Sequence, residues 1–355
     1  MTLLSTKESL SSPEYLRLSL AAALVLRAAS GRFYREVQLH CVNLLLTYPE
    51  GCRANCAYCG LARRRRVTGE TRSFIRVDWP VLPTEELIDR IVRHQHSVKR
   101  VCLSMVTHRA AYRDTVTIAG KILERVDVPL SVLVAPHVVD AGKLRELRQI
   151  GADIIGIGLD AASPRVFERT RGRGTGSSLS WQRYWDCLEI SREIFGPFQV
   201  NAHLIVGIGE TDRELVEMFC RLREMQVCAY LFCFYPEDGS LMQRRKRPTL
   251  KRFRRLQLVK YLLENKGVEK EQIRFDPAGG IQYLDVPPSV VEETLLRGEP
   301  FLTGGCPDRE GKLVCTRPFG SYRPGESFRD FPFLPERKDL ERVRRELRLE
   351  GLLPC

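Results

Sequence analysis

From residue 41 onward the chain alternates six times between short apolar runs and longer amphipathic stretches, and few folds accommodate that pattern. The runs cover residues 42–47, 100–107, 130–135, 153–160, 199–206 and 227–235. Between them lie TEELIDRIVRHQ, TVTIAGKILERV, AGKLRELRQIG, SWQRYWDCLEISREI and DRELVEMFCRLREM, each with helical periodicity. The runs are continuous rather than alternating, as in strands covered on both faces. Six strand–helix units in succession predict an α/β fold with a parallel (β/α) barrel or partial barrel. LKRFRRLQLVKYLLEN followed by QIRFDP would add a seventh unit.

At 355 residues the chain suits one barrel with appendages. We expect an N-terminal helical segment over 1–36, the barrel over 37–285 and a C-terminal extension over 286–355. The extension is rich in Pro and Gly, ends in a charged helix near 338–349, and should wrap the barrel. The apolar stretch LSLAAALVL (18–26) has about half of the ~20 residues needed to cross a bilayer. Flanked by Arg17 and Arg27, it reads as a packed helix and not as a targeting segment. Twelve cysteines in a long chain, several of them inside strand-like runs, point to reduced thiols or metal and to a cytoplasmic location. The net charge of +12 favours an acidic partner without choosing one.

The loop after the first run, TYPEGCRANCAYCGLARRRR, holds Cys52, Cys56 and Cys59 as C-x3-C-x2-C with no fourth ligand nearby. In a parallel barrel this loop lies at the C-terminal face, where ligands bind. Three thiolates in one tight turn can hold three irons of a [4Fe–4S] cube and leave the fourth iron open. Structural zinc wants four protein ligands, and simple ferredoxin clusters want four cysteines in other spacings. Zinc and three buried thiols are the competing readings.

The loop resembles the signature of the radical S-adenosylmethionine (SAM) superfamily, with Tyr58 as the aromatic before the last cysteine. The resemblance implies a partial barrel of radical SAM type. It also implies that Cys52, Cys56 and Cys59 hold a [4Fe–4S] cluster whose open iron binds SAM. Reductive cleavage of SAM would then give a 5′-deoxyadenosyl radical that takes a hydrogen from substrate. HLIVGIGETDREL and GIGLDAASPRVF resemble segments of the biotin and lipoyl synthase branch. They imply SAM contacts from Gly207, Gly209 and Asp160, with Glu210 starting the next helix; Gly158 stands where the family has Asn. An arginine for the SAM carboxylate would be Arg183, beside Tyr184, with Arg171 and Arg173 near. Ser104 and Thr107 end the second strand, where the superfamily often carries a glycine-rich contact that this chain lacks.

A second cysteine set is suggested by TGGCPDREGKLVCTRPFGSYRPG. Cys306 and Cys315 from this loop, with Cys41 and Cys102 from the starts of the first two strands, are the candidate ligands of an auxiliary cluster. The same strand of biotin synthase supplies an auxiliary ligand, and Arg274 falls where that enzyme has an arginine ligand. Its other ligand positions differ, with Asn201 at one of them. Buried thiols are the competing reading for all four, and the preferred one for Cys187, Cys220, Cys228 and Cys233.

Taken over about residues 35–335, the chain looks most like a subunit of the two-component lipoyl synthases of prokaryotes. That likeness implies a radical SAM sulfurtransferase of lipoate biosynthesis, inserting sulfur into an octanoyl chain on an acidic carrier domain. It also implies a second radical SAM subunit as partner and a ferredoxin or flavodoxin as electron donor. Arg63–Arg66, RRKR (244–247) and KRFRR (251–255) would steer the carrier. The alternatives are a radical SAM enzyme acting on a small molecule or tRNA, and a non-enzymatic Fe–S electron carrier. No membrane association is expected, and the basic runs lack the interleaved aromatics of a nucleic-acid surface.

Overall fold

The computed structural model describes residues 10–65, 77, 79–315 and 328–354. All six expected strands form, as β2 (Cys41–Leu46), β4 (Arg100–Ser104), β5 (Leu130–Val134), β6 (Ala152–Asp160), β7 (Val200–Val206) and β8 (Cys228–Cys233). They pair in parallel in chain order, β2-β4-β5-β6-β7-β8, within an eight-stranded sheet. Helices α2 (Thr84–Arg93), α3 (Ala111–Arg125), α4 (Ala141–Gln149), α6 (Trp181–Phe195) and α7 (Asp212–Glu224) make the crossovers, with a short α5 (Pro164–Thr170) preceding α6. Several start on side-chain caps: Asp140 accepts from the Lys143 amide, and Thr211 and Glu214 form a reciprocal capping box. The strands bury both faces in one apolar core, which explains the absence of alternation in their sequences.

Three expectations need correction. The apolar stretch 18–26 is not one helix: β1 (Tyr15–Leu18) ends where it begins, and only α1 (Leu20–Val25) is helical. β1 and β3 (Val81–Pro83) extend the sheet beyond β2 as antiparallel strands, so the N-terminal segment is part of the sheet. Ser19 ends the strand by capping α1, accepting from the Ala22 amide. The seventh unit forms its helix, α8 (Leu250–Asn265), but its strand β9 (Ile273–Phe275) pairs with β10 (Ile281–Leu284) in a separate hairpin. The barrel therefore stays open beyond β8.

The extension packs on the barrel through α8. Buried Arg254 donates to Glu346 and to the carbonyls of Phe328 and Arg329, and Arg255 donates to the carbonyl of Leu347. Arg35 forks onto Asp339 of the C-terminal helix Arg337–Leu347 with two bonds of 2.7 Å. Much of the KRFRR run therefore joins barrel to tail instead of facing a partner. No described helix is long and apolar enough to cross a membrane.

Candidate active site and second cysteine cage

The cysteine loop leaves β2 and is pinned to three other segments by backbone bonds. The Arg53 amide donates to Thr107 at 2.8 Å, the Ala57 amide to Thr170 at 2.7 Å, and the Met242 amide to Ala57 at 3.0 Å. Asn55 adds a side-chain anchor to the Thr175 carbonyl and accepts from the Arg64 amide. So fixed, Cys52, Cys56 and Cys59 line one cavity of about 210 Å³ at the C-terminal ends of the strands. Burial pushes the Cys56 and Cys59 thiols above their usual range, and Arg171 pulls Cys56 back down. Three thiols meeting a buried cation on one cavity wall is a donor set suited to an iron–sulfur cluster. No group of three or more His, Cys, Asp or Glu among the described residues is set around a single metal ion.

Across the cavity, Tyr58 donates to Asp160 at 2.5 Å, and Asp160 pairs with Arg171 at 3.1 Å. Asp160 ends β6 with φ of 61°, a left-handed conformation that Asp tolerates better than most residues. Arg171 is 7% exposed, donates to Tyr184 at 2.9 Å and to Leu159 at 3.0 Å, and lies 4.6 Å from the Tyr184 ring centroid. Its Nε has no partner. A buried donor left over beside three thiols and a carboxylate is a fitting seat for an anionic group such as the carboxylate of SAM.

Arg183 is not brought to this site. It starts α6 on the outer side and donates to the carbonyls of Pro136 and Val139. Arg173 is also excluded, its side chain 91% exposed and paired with Glu168. The arginine of the cavity is Arg171, carried at the end of α5 beneath the cysteine loop. Gly207 and Gly209 take φ of 109° and 123°, and a Cβ there would meet Pro248 at 2.8 Å and the Arg169 guanidinium at 1.7 Å. They are needed for packing, and neither lines the cavity. Glu210 does not start α7, which begins at Asp212. Its carboxylate accepts from the amides of Gly207, Ile208 and Gly209 and pairs with Arg252, fixing the loop. Ser104 and Thr107 do line the cavity, joined by His203, which opens the HLIVGIGETDREL segment, and by Glu237, which no motif marked.

At the opposite ends of the strands, Cys41, Cys102, Cys306 and Cys315 gather in one buried group with Ile154, against Tyr230. β2 and β4 bring the first two together, since Cys102 pairs with Asn43, two residues beyond Cys41. The tail supplies the others as a hairpin in which the Cys315 amide donates to the Cys306 carbonyl at 3.0 Å. Asn43 Oδ1 lies 3.9 and 3.8 Å from the sulfurs of Cys41 and Cys315, and Asn201 donates to the Cys306 sulfur at 3.8 Å. The hydrogen bond with Cys315 raises the Cys41 thiol well above its usual range, as burial does for Cys306. Arg274 is not among the residues of this group: it sits on the β9–β10 hairpin with its guanidinium over Tyr283. Cys187 is an ordinary core thiol, pushed up to about 11 by burial. Arg66, Arg317 and the rest of the FGSYRP stretch lie outside the described residues.

A chamber of about 20 Å³ lies beside Cys102, Cys306 and Cys315. Leu133, His203 and Phe232 line both this chamber and the larger cavity, so one layer of side chains separates the two cysteine groups.

The Radical SAM superfamily pattern matches residues 46–222. The chain belongs to the radical SAM superfamily. Its cofactors are accordingly a [4Fe–4S] cluster and SAM. Over 208 residues it is 25% identical to biotin synthase of Magnetococcus marinus, covering 57% of this chain and 59% of that protein. Over 216 residues it is 27% identical to biotin synthase of Thermus thermophilus, covering 58% of each. The chain thus matches less than two thirds of the length of these relatives. The solved structure of methylornithine synthase aligns over 94% of this chain and 87% of its own, at 14% identity and a TM-score of 0.49.

Proposed function

We propose that this radical SAM enzyme inserts sulfur into an octanoyl chain carried on a protein, as one of two cooperating subunits of a lipoyl synthase type. The observation that carries sulfur insertion is the second cysteine group, four buried thiols one side-chain layer from the cavity that would hold SAM. Cys52, Cys56 and Cys59 would hold the cluster that binds SAM, with Arg171 and Asp160 orienting SAM. Together these cofactors supply one-electron cleavage of the sulfonium and hydrogen abstraction from an unactivated carbon. Cys41, Cys102, Cys306 and Cys315 would hold the auxiliary cluster, which supplies sulfide.

An alkyl substrate fits the walls between the two groups, where Val106, Leu133, Val134, Ile205 and Phe232 leave few polar groups to satisfy. Exposed Arg63, Arg64, Arg244 and Lys246 border the cysteine loop and suit an acidic carrier domain. The electron donor would be a small protein of ferredoxin or flavodoxin type. The similarity to biotin synthases supports sulfur insertion as the reaction class.

The test is anaerobic incubation of the reconstituted, reduced protein with SAM and an octanoyl-lysine peptide, alone and with a candidate partner subunit. Mass analysis should find sulfur on the peptide and 5′-deoxyadenosine in solution. A peptide that loses hydrogen without gaining sulfur would overturn the proposal.

A further inference from the structure

The second cysteine group contains a residue whose role follows from charge and position. Arg100 opens β4 directly opposite Cys41 and two residues before Cys102, on the same face of the strand. It is 1% exposed, among the largest fully buried side chains of the molecule. Its two terminal nitrogens fork onto Asp153 at 2.6 and 2.7 Å. Its Nε donates to the carbonyl of Pro307 at 2.5 Å, the residue after Cys306. One guanidinium thus ties three segments together: the strand bearing Cys102, the start of β6, and the tail hairpin bearing Cys306 and Cys315.

The hairpin needs such a tie. Half of the thiols come from the barrel and half from a tail segment roughly two hundred residues later. A second tie, Arg309 to Asp127, is fully solvent-exposed and contributes little. The backbone at the hairpin is also tightly fitted, since a Cβ on Gly305 would lie 1.9 Å from the Cys315 carbonyl oxygen. A buried cation is costly unless charge nearby compensates it. Asp153 does so through its two-bond fork, and the sulfurs of Cys41 and Cys306 also favour the charge. A cluster held by four thiolates carries net negative charge, and among the described residues no lysine or arginine lines the chamber beside those thiols.

We propose that Arg100 is the positioning residue and counter-charge of the auxiliary site. It holds the tail hairpin where Cys306 and Cys315 meet Cys41 and Cys102, and it offsets the negative charge of the cluster bound there. This rests on the reading of the four cysteines as a cluster site.

The experiment compares full-length wild type, Arg100→Lys and Arg100→Met after anaerobic reconstitution. It measures iron and sulfide per chain, the midpoint potential of each cluster by electron paramagnetic resonance, and hydrogen exchange of residues 303–315 in the metal-free protein. Circular dichroism verifies the fold. Arg100→Met should hold about half the wild-type iron, and any auxiliary cluster that loads should titrate at a more negative potential. Its hairpin should exchange faster without metal, a readout independent of cluster loading. Arg100→Lys, which keeps the charge, should recover the potential while its hairpin still exchanges faster. Two clusters in wild type, with the same iron, potential and exchange in Arg100→Met, would overturn the role of Arg100 and leave the cluster reading intact. One cluster in wild type would overturn the cluster reading itself, and the proposal with it.

Discussion

The barrel holds two groups of cysteines built on opposite plans. The upper group comes from a single loop of eight residues, Cys52 to Cys59, pinned from outside by backbone bonds. The lower group is assembled from two strands and a distant tail; inside the barrel Asn43 Oδ1 accepts from the Cys41 and Cys315 thiols, and Asn201 donates to the Cys306 sulfur. A contiguous loop with three ligands leaves a corner open and faces a cavity. A discontinuous group with four thiols is enclosed beside a chamber a tenth of that size. The first plan suits binding and release of a small cofactor, and the second suits a buried store.

The comparison breaks most sharply when one group is removed at a time. Cys56→Ala should lower 5′-deoxyadenosine formation by about a hundredfold or more, measured by chromatography of quenched reactions. Cys306→Ala should instead abolish the sulfur-bearing product and lower the iron content by about half. If both substitutions had the same effect on SAM cleavage, the two plans would not correspond to two roles.

A smaller effect separates the arginines. Arg171→Met removes charge-assisted hydrogen bonds worth about 1.5–3 kcal/mol and should raise the SAM concentration for half-maximal cleavage by ~10- to 100-fold. Arg183→Met loses only two backbone carbonyl contacts and should cost about 1 kcal/mol of stability with the SAM dependence unchanged. Gly305→Ala sharpens the lower group alone: its Cβ must displace the Cys315 backbone, so iron should fall while the SAM-responsive cluster stays.

The smallest effect is on pH dependence of the metal-free protein. Cys41, Cys59 and Cys306 all have thiols raised well above the usual range. A group raised in the folded state stabilises fully below its unfolded value, and that contribution is lost as pH climbs toward the folded value. The melting temperature of metal-free protein should therefore decline as pH rises beyond about 8.5, the ordinary thiol value. Cys41→Ala should flatten that decline, as circular dichroism melts can show.

The two groups also differ in how far sequence reveals them. The upper one is legible because ligand spacing within a loop is a local property, and the parallel order of the strands follows from their continuous apolar runs. The lower set could be named only as four scattered cysteines, since its assembly depends on where the tail hairpin returns. Arg171 and Arg183 were equivalent as letters. They are separated by the turn at Gly172–Gly176, which ends α5 and aims one guanidinium inward. Glu210 was similarly ambiguous, because a carboxylate after Gly-x-Gly can cap its own loop as readily as it can begin a helix. The stretch 18–26 misled because a strand and a short helix joined at a Ser cap carry the same apolar composition as one helix. Arg100 gave no signal at all, its importance arising from strand register and burial.

The measurement that tests the account most directly is Mössbauer spectroscopy of protein reconstituted with enriched iron, with and without SAM. The account predicts two [4Fe–4S] signals of equal area, one of which splits off a distinct iron site when SAM is added while the other is unchanged. A single cluster, or two clusters that both ignore SAM, would contradict it.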